Sequence, residues 1–235
     1  MDDLVRQWTA QLLDSGNVVS LGVGAVALLL VLNTSAWLVL RNVVTIAHEG
    51  GHAVVALLSG RQLNGIRLHS DTSGLTVSTG RSTGPGMVFT LLAGYPAVSL
   101  LGLGGAALVA FDRTRLMLWI AVGLLALMLL AVRNAFAVLS VVATGGALFA
   151  VSWFAPPQWQ ALCCLLLSWF LLIGSIRPVG ELRSKRARGR APDSDADQLA
   201  RLTRVPAAVW LAVWFLVGVA ALLVGGRWLL LVPQI

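Results

Sequence analysis

Residues 42–60 read NVVTIAHEGGHAVVALLSG, and the rest of the chain is best read outward from them. The spacing predicts a helix over Asn42–Leu58, largely apolar but carrying His48, Glu49 and His52. Upstream, Val18–Leu40 is a charge-free apolar run of about the length that spans a bilayer. Asn33-Thr34-Ser35 is a candidate break within it. We read 18–58 as two full spans, the other arrangement being one span plus a shorter buried helix.

Composition agrees with a bilayer environment. Of 235 residues, 57% are hydrophobic and 11% charged, with a mean hydropathy of +0.84. A soluble domain carries roughly 45–50% apolar and about 25% charged residues. There is too little charge here to clothe a water-facing surface, and disordered, collagen-like and disulfide-rich classes are excluded as well. The net charge of +7 is concentrated rather than spread. Arg177, Arg183, Lys185, Arg186, Arg188, Arg190, Arg201 and Arg204 lie in one polar segment, 177–204. A basic loop between apolar runs is first a topology signal, because such loops stay cytoplasmic. Anionic lipid is a second candidate partner, and nucleic acid is not expected. Cys163 and Cys164 are adjacent in an apolar run and suggest no disulfide framework.

Residues 1–17, with Leu4, Trp8 and Leu12 at spacings of four, read as an interfacial amphipathic helix rather than a cleavable signal peptide. Residues 18–235 read as a single transmembrane domain. Within 60–85, Ile66, Leu68, Leu75 and Val77 alternate with polar residues around Ser70-Asp71-Thr72-Ser73-Gly74, a hairpin signal. Further apolar runs follow at Met87–Ala110, Leu116–Val132, Ala135–Phe154, Gln160–Ile176 and Val205–Leu223. The expected fold is therefore an all-α polytopic membrane protein of six to seven transmembrane helices, with a short β-hairpin after the HEGGH helix. Counting back from a cytoplasmic 177–204 loop puts Arg133 and the hairpin inside and Asp112–Arg115 outside. His52 then lies on the order of 10 Å below the cytoplasmic face.

Two histidines four apart share a helix face and can bind one zinc ion. Glu49, one position on, reaches the metal's water instead, as a general base for hydrolysis of a carbonyl compound. Ionisable groups within a span cost about 2.5–3.5 kcal/mol each and are functional by default. The alternative is a polar contact between helices, the imidazoles hydrogen-bonded within the bundle. Gly50 and Gly51 smooth the same helix for close approach of a neighbouring helix or an extended substrate. A catalytic zinc usually takes a third protein ligand. Asp195 leads the candidates, followed by Asp197 and His69, because the last span begins on the face that His52 approaches. Ser194 with Asp197 also fits a capping box, which would give these residues a purely structural role.

Taken with Gly60-Arg61, Gly65–His69, Gly74-Leu75-Thr76, Ala93-Gly94-Tyr95-Pro96, Arg133-Asn134, Ser194–Ala196 and Leu199–Trp210, the Ala47–Ala53 motif resembles the site-2 protease family of intramembrane zinc metallopeptidases. The likeness, nearest to the family's compact actinobacterial branch, runs from about residue 37 to 215. It implies a bacterial cell-membrane protease holding Zn2+ through His48, His52 and a later carboxylate, most naturally Asp195. Glu49 would activate water, and the substrates would be membrane-embedded segments of proteins such as anti-sigma factors. The family's Gly-Pro segment and following Asn are only partly matched by Ala93–Pro96, with Ser99 where an amide is expected. Asn134 is therefore a candidate for stabilising the oxyanion. An exposed strand edge, Ile66–His69 or Leu75–Thr79, could hold unwound substrate by strand addition; the alternative is a hairpin that merely connects. Two other readings of the whole are an inactive scaffold for a transmembrane partner and a metal-ion transporter.

Overall fold

The computed structural model describes residues 15–189, 191 and 193–231. The interfacial helix expected within 1–17 lies almost wholly outside them. The first apolar run breaks at Asn33, whose backbone is extended (φ −69°, ψ 120°) and whose side chain accepts from the Ala36 amide at 2.9 Å. That amide is left unpaired by the start of a new helix, so a short polar side chain at this point ends one helix and caps the next. The result is α1 (Ser15–Leu32) and α2 (Thr34–Leu58), bent by 101°.

After α2 come β1 (Gln62–Leu68) and β2 (Gly74–Thr79), an antiparallel pair with Ile66 opposite Thr76. The turn closes through the His69 amide donating to the Ser73 carbonyl at 2.9 Å. Then follow α3 (Pro85–Ala110), α4 (Thr114–Ala131), α5 (Ala135–Phe154), α6 (Pro157–Gly174), α7 (Arg177–Ala187), α8 (Asp195–Thr203) and α9 (Ala207–Leu231). Among the described residues, five helices are long and apolar enough to cross a membrane: α3, α4, α5, α6 continued by α7, and α9. α1 and α2 pass the same test as a bent pair, which brings the total to six when the pair is counted as one broken span. The reading of 18–58 as two full spans gives way to this broken pair, because the break leaves neither piece as an independent straight crossing.

Apolar side chains face outward as well as inward. Leu29, Val39, Leu130, Leu216 and Leu223 are all well exposed, as expected of helices whose outer solvent is lipid. The chain is a multi-pass integral membrane protein. α3, apolar all round, sits centrally against α2, α6, α9 and α8.

The polar 177–204 segment is not a plain loop. It forms α7 and α8, each with one apolar pair at helical spacing hidden among its charges. Val179 and Leu182, then Ala196 and Leu199, are buried against Leu91, Leu211 and Trp214. Ser194 caps α8, accepting from the Asp197 amide. A second cluster joins Ile66 and Leu68 of β1 to Ile46 and Ala53 of α2, to Met128 of α4, to Val132 just after it and to Val141 of α5, which seats the hairpin on the bundle.

Candidate metal centre

The two motif histidines lie one turn apart on α2 and point at the start of α8. The Nε2 atoms of His48 and His52 are 3.0 Å apart, and each is 3.3 Å from Oδ2 of Asp195. Tetrahedral zinc with bonds of roughly 2.0–2.1 Å holds its ligands roughly 3.3 Å from one another. The three donor atoms already stand at about that spacing, all within 4.8 Å of each other. Two lone-pair nitrogens so close repel unless a cation or a proton lies between them, so the arrangement suits a bound metal.

His52 is oriented from behind. Its Nδ1 lies 2.6 Å from the Thr90 carbonyl, which can only accept. The proton therefore sits on Nδ1, and Nε2 turns its lone pair to the centre. Gly94 on α3 faces both rings: a Cβ there would come within 2.5 Å of His48 Cε1 and His52 Nε2. The absence of that atom makes the cradle. One turn of α2 away, Gly51 lets α3 approach to the same degree, since a Cβ would meet Ala97 at 2.4 Å. Gly50 faces open space. The pair of glycines thus divides, one packed against a neighbouring helix and one free.

Burial would raise the Asp195 carboxyl's pKa, but positive charge at the imidazoles of His52 and His48, a place a bound metal would take, more than offsets it and holds the group well below the usual carboxylate range. The side chain is thus presented as an anion. The other two candidates for the third ligand are engaged elsewhere. Asp197 accepts from the Ser194 hydroxyl at 2.5 Å and pairs with Arg186 at 2.8 Å. His69 is exposed in the hairpin turn, its Nδ1 3.2 Å from the Ser73 hydroxyl.

Glu49 is buried, and its carboxylate accepts a 2.6 Å hydrogen bond from the Thr76 hydroxyl of β2. Arg41, Thr45, His48, Glu49, Tyr95 and Pro178 help line a cavity of about 160 Å³. A polar space of that size has room for several waters.

Tyr95 belongs to a short chain of contacts that begins with a proline. Pro96 has no amide to give the Leu92 carbonyl one turn back. The Trp214 indole of α9 donates to that carbonyl at 3.3 Å. Trp214 then stacks on Tyr95 (4.3 Å, 25°), and Tyr95 meets His48 edge-on (4.6 Å, 87°).

Asn134 is not free to stabilise an oxyanion. Its amide donates to the Leu68 carbonyl at 2.7 Å and its oxygen accepts from the Leu68 amide at 3.2 Å. With the Arg133 amide bonded to the Ile66 carbonyl at 2.9 Å, residues 132–134 cover the outer edge of β1. The strand edge expected at Ile66–His69 is thus occupied, and among the described residues no other strand pairs with the far edge of β2.

A family model described as Peptidase M50B-like matches residues 21–225. The chain belongs to the Peptidase M50B-like family. Searches of the curated proteins and of the solved structures match nothing. Membership bears out the resemblance to site-2 proteases and makes this a membrane metallopeptidase at the level of the family. The match runs from within α1 through most of α9, so every residue of the centre falls within it.

Thr76, Thr90 and Trp214 are parts of this M50B-like site that the sequence reading did not assign a role. The hairpin's alternation carried a partial signal for Thr76, which lies inward between the exposed Leu75 and Val77. Thr90 acts through its backbone carbonyl, which leaves no mark in the sequence.

Proposed function

We propose that this M50B-like chain is a zinc-dependent endopeptidase that hydrolyses peptide bonds in or near transmembrane segments of other proteins. The observation that carries the reading is the convergence of His48, His52 and Asp195, with His48 and Glu49 lining a cavity that has room for several waters. His48, His52 and Asp195 would hold the zinc ion. When bound, zinc supplies a water of pKa roughly 7 and polarises the carbonyl to be attacked. Glu49 takes a proton from the attacking water, then delivers it to the amine nitrogen as the C–N bond breaks. The water's oxygen stays with the new carboxyl group and its second proton passes from there to the amine, leaving a carboxylate and an ammonium, so atoms and charge balance. The Thr90 carbonyl and the Tyr95 ring keep the two imidazoles in place throughout.

A helical substrate shields its amides, so it must unwind to be cut. The open edge of β2 offers strand addition to an extended segment, with Leu75 and Val77 exposed beside it. The Asp195 segment, the hairpin and the basic residues of α7 lie at one end of the bundle. By the excess of Lys and Arg there, we assign that end to the cytoplasm, where anionic lipid is a fitting neighbour for Arg183 and Lys185. An anti-sigma factor is one substrate class consistent with such a site.

Purified protein should carry about one zinc per chain. Glu49→Gln should keep that zinc and lose cleavage of a transmembrane substrate, by about 10²-fold or more. Asp195→Ala should lose the metal. Metal-free protein that still cleaves, or Glu49→Gln with full activity, sinks the proposal.

A further inference from the structure

The hairpin reaches into the centre at one point. Period-two alternation turns Leu75 and Val77 outward and Thr76 inward. Its hydroxyl lies 2.6 Å from Glu49 Oε2 and 3.1 Å from the Glu49 carbonyl oxygen. A hydroxyl has one proton to donate, and the carboxylate at 2.6 Å is the stronger acceptor. Gly74, two residues earlier on the same strand, leaves the space this needs. A Cβ there would stand 2.4 Å from Glu49 Oε1. The turn is tied to α2 as well, one turn upstream, where the Thr45 hydroxyl lies 3.0 Å from the Thr72 carbonyl.

From this geometry we infer that Thr76 is a positioning residue for Glu49. Its hydroxyl pins one carboxylate oxygen and leaves the lone pairs of the other for the water's proton. The inference rests on the peptidase reading above. A glutamate has three side-chain torsions, and Thr76 provides the hydrogen bond that the Glu49 carboxylate makes among the described residues. Without it the carboxylate is free to leave the water it must deprotonate. Because the pin is carried on β2, the strand whose open edge would receive substrate, docking of the hairpin and orientation of the base are one event.

The test uses the full-length protein in detergent or lipid, with Thr76→Val, which keeps the shape and removes the hydroxyl, and Thr76→Ser, which keeps the hydroxyl. The expected result for Thr76→Val is a kcat lower by about 10²-fold, with KM and zinc content held and the hairpin amides still protected from hydrogen exchange. Thr76→Ser should recover most of the loss. Wild-type kcat in Thr76→Val overturns the inference. So does loss of zinc or of amide protection in step with kcat, or failure of Thr76→Ser to rescue, since each makes Thr76 a packing residue. Glu49→Gln run in parallel separates the two levels. If it is inactive while Thr76→Val is not, the positioning role fails and the peptidase reading stands; if it is fully active, the peptidase reading itself fails.

Discussion

At the scale of single residues, the centre depends as much on an absent atom as on its ligands. Gly94 leaves open the volume into which His48 and His52 turn, and any Cβ there would overlap both rings. The backbone of α3 cannot retreat easily, because Gly51 of α2 is already packed against Ala93 and Ala97 one turn away. Gly94→Ala should therefore displace the imidazoles and cut zinc content to well below one per chain, read by metal analysis of the purified protein. Full zinc occupancy in that variant would show that the rings can shift without cost. The motif histidines were legible at this scale because a spacing of four puts them on one helix face, and Glu49 because it stands one position on from the first of them. Gly94 was not, because its role is defined by atoms on another helix.

Among the elements, the hairpin is held by unlike attachments at its two sides. β2 meets α2 through Thr76 and Glu49, while β1 is closed by residues 132–134. Asn134 imitates a strand neighbour, donating to and accepting from Leu68, which is itself almost fully buried. Asn134→Ala leaves a buried amide and a buried carbonyl without partners, a cost of about 1–3 kcal/mol for each such group. The expected outcome is a lower thermal midpoint and faster hydrogen exchange at the Leu68 amide, with the His48–His52–Asp195 centre still able to bind metal. Exchange as slow as in the parent would mean that Asn134 is not what protects the Leu68 amide. Alternation of Ile66, Leu68, Leu75 and Val77 marked the two strands correctly. Which edge stays open was illegible, since the covering residues come from the junction of two distant helices.

Across the whole molecule, most of the basic residues fall toward the hairpin end, with Arg113, Arg115 and Arg227 at the other. Arg61, Arg67 and Arg81 of the hairpin region lie at the same end as Arg133, whose amide bonds to β1. Asp112, between α3 and α4, falls at the other end of those helices. With Cys163 and Cys164 changed to Ala, Asp112→Cys should react with a membrane-impermeant maleimide in intact cells, and Ser184→Cys should react only after lysis. The opposite pattern would invert the assigned orientation. The 101° bend at Asn33 is also held at this scale. Arg177 donates to the Val31 carbonyl just before the bend and to Glu181 at 3.0 Å, and Glu181 pairs with Arg41 at 3.3 Å just after it. The Asn33-Thr34-Ser35 break was visible in the sequence, but the direction of the turn is set by this cluster from α7.

The amino-acid sequence by itself determined that the chain lives in a bilayer, that a hairpin interrupts its helices, and that one helix carries a metal-binding motif. These follow from composition and from periodicities that act within a few residues. The tertiary structure decided that Asp195 rather than Asp197 or His69 meets the histidines, that Thr76 holds Glu49, and that Asn134 serves a strand edge. Each of those depends on where a distant element is seated. Ala196 and Leu199, buried against α3 and α9, turn Asp195 toward His48 and His52 while Asp197 turns to Arg186. Two carboxylates two residues apart on one helix point about 200° apart, so only the packing of that helix could choose between them.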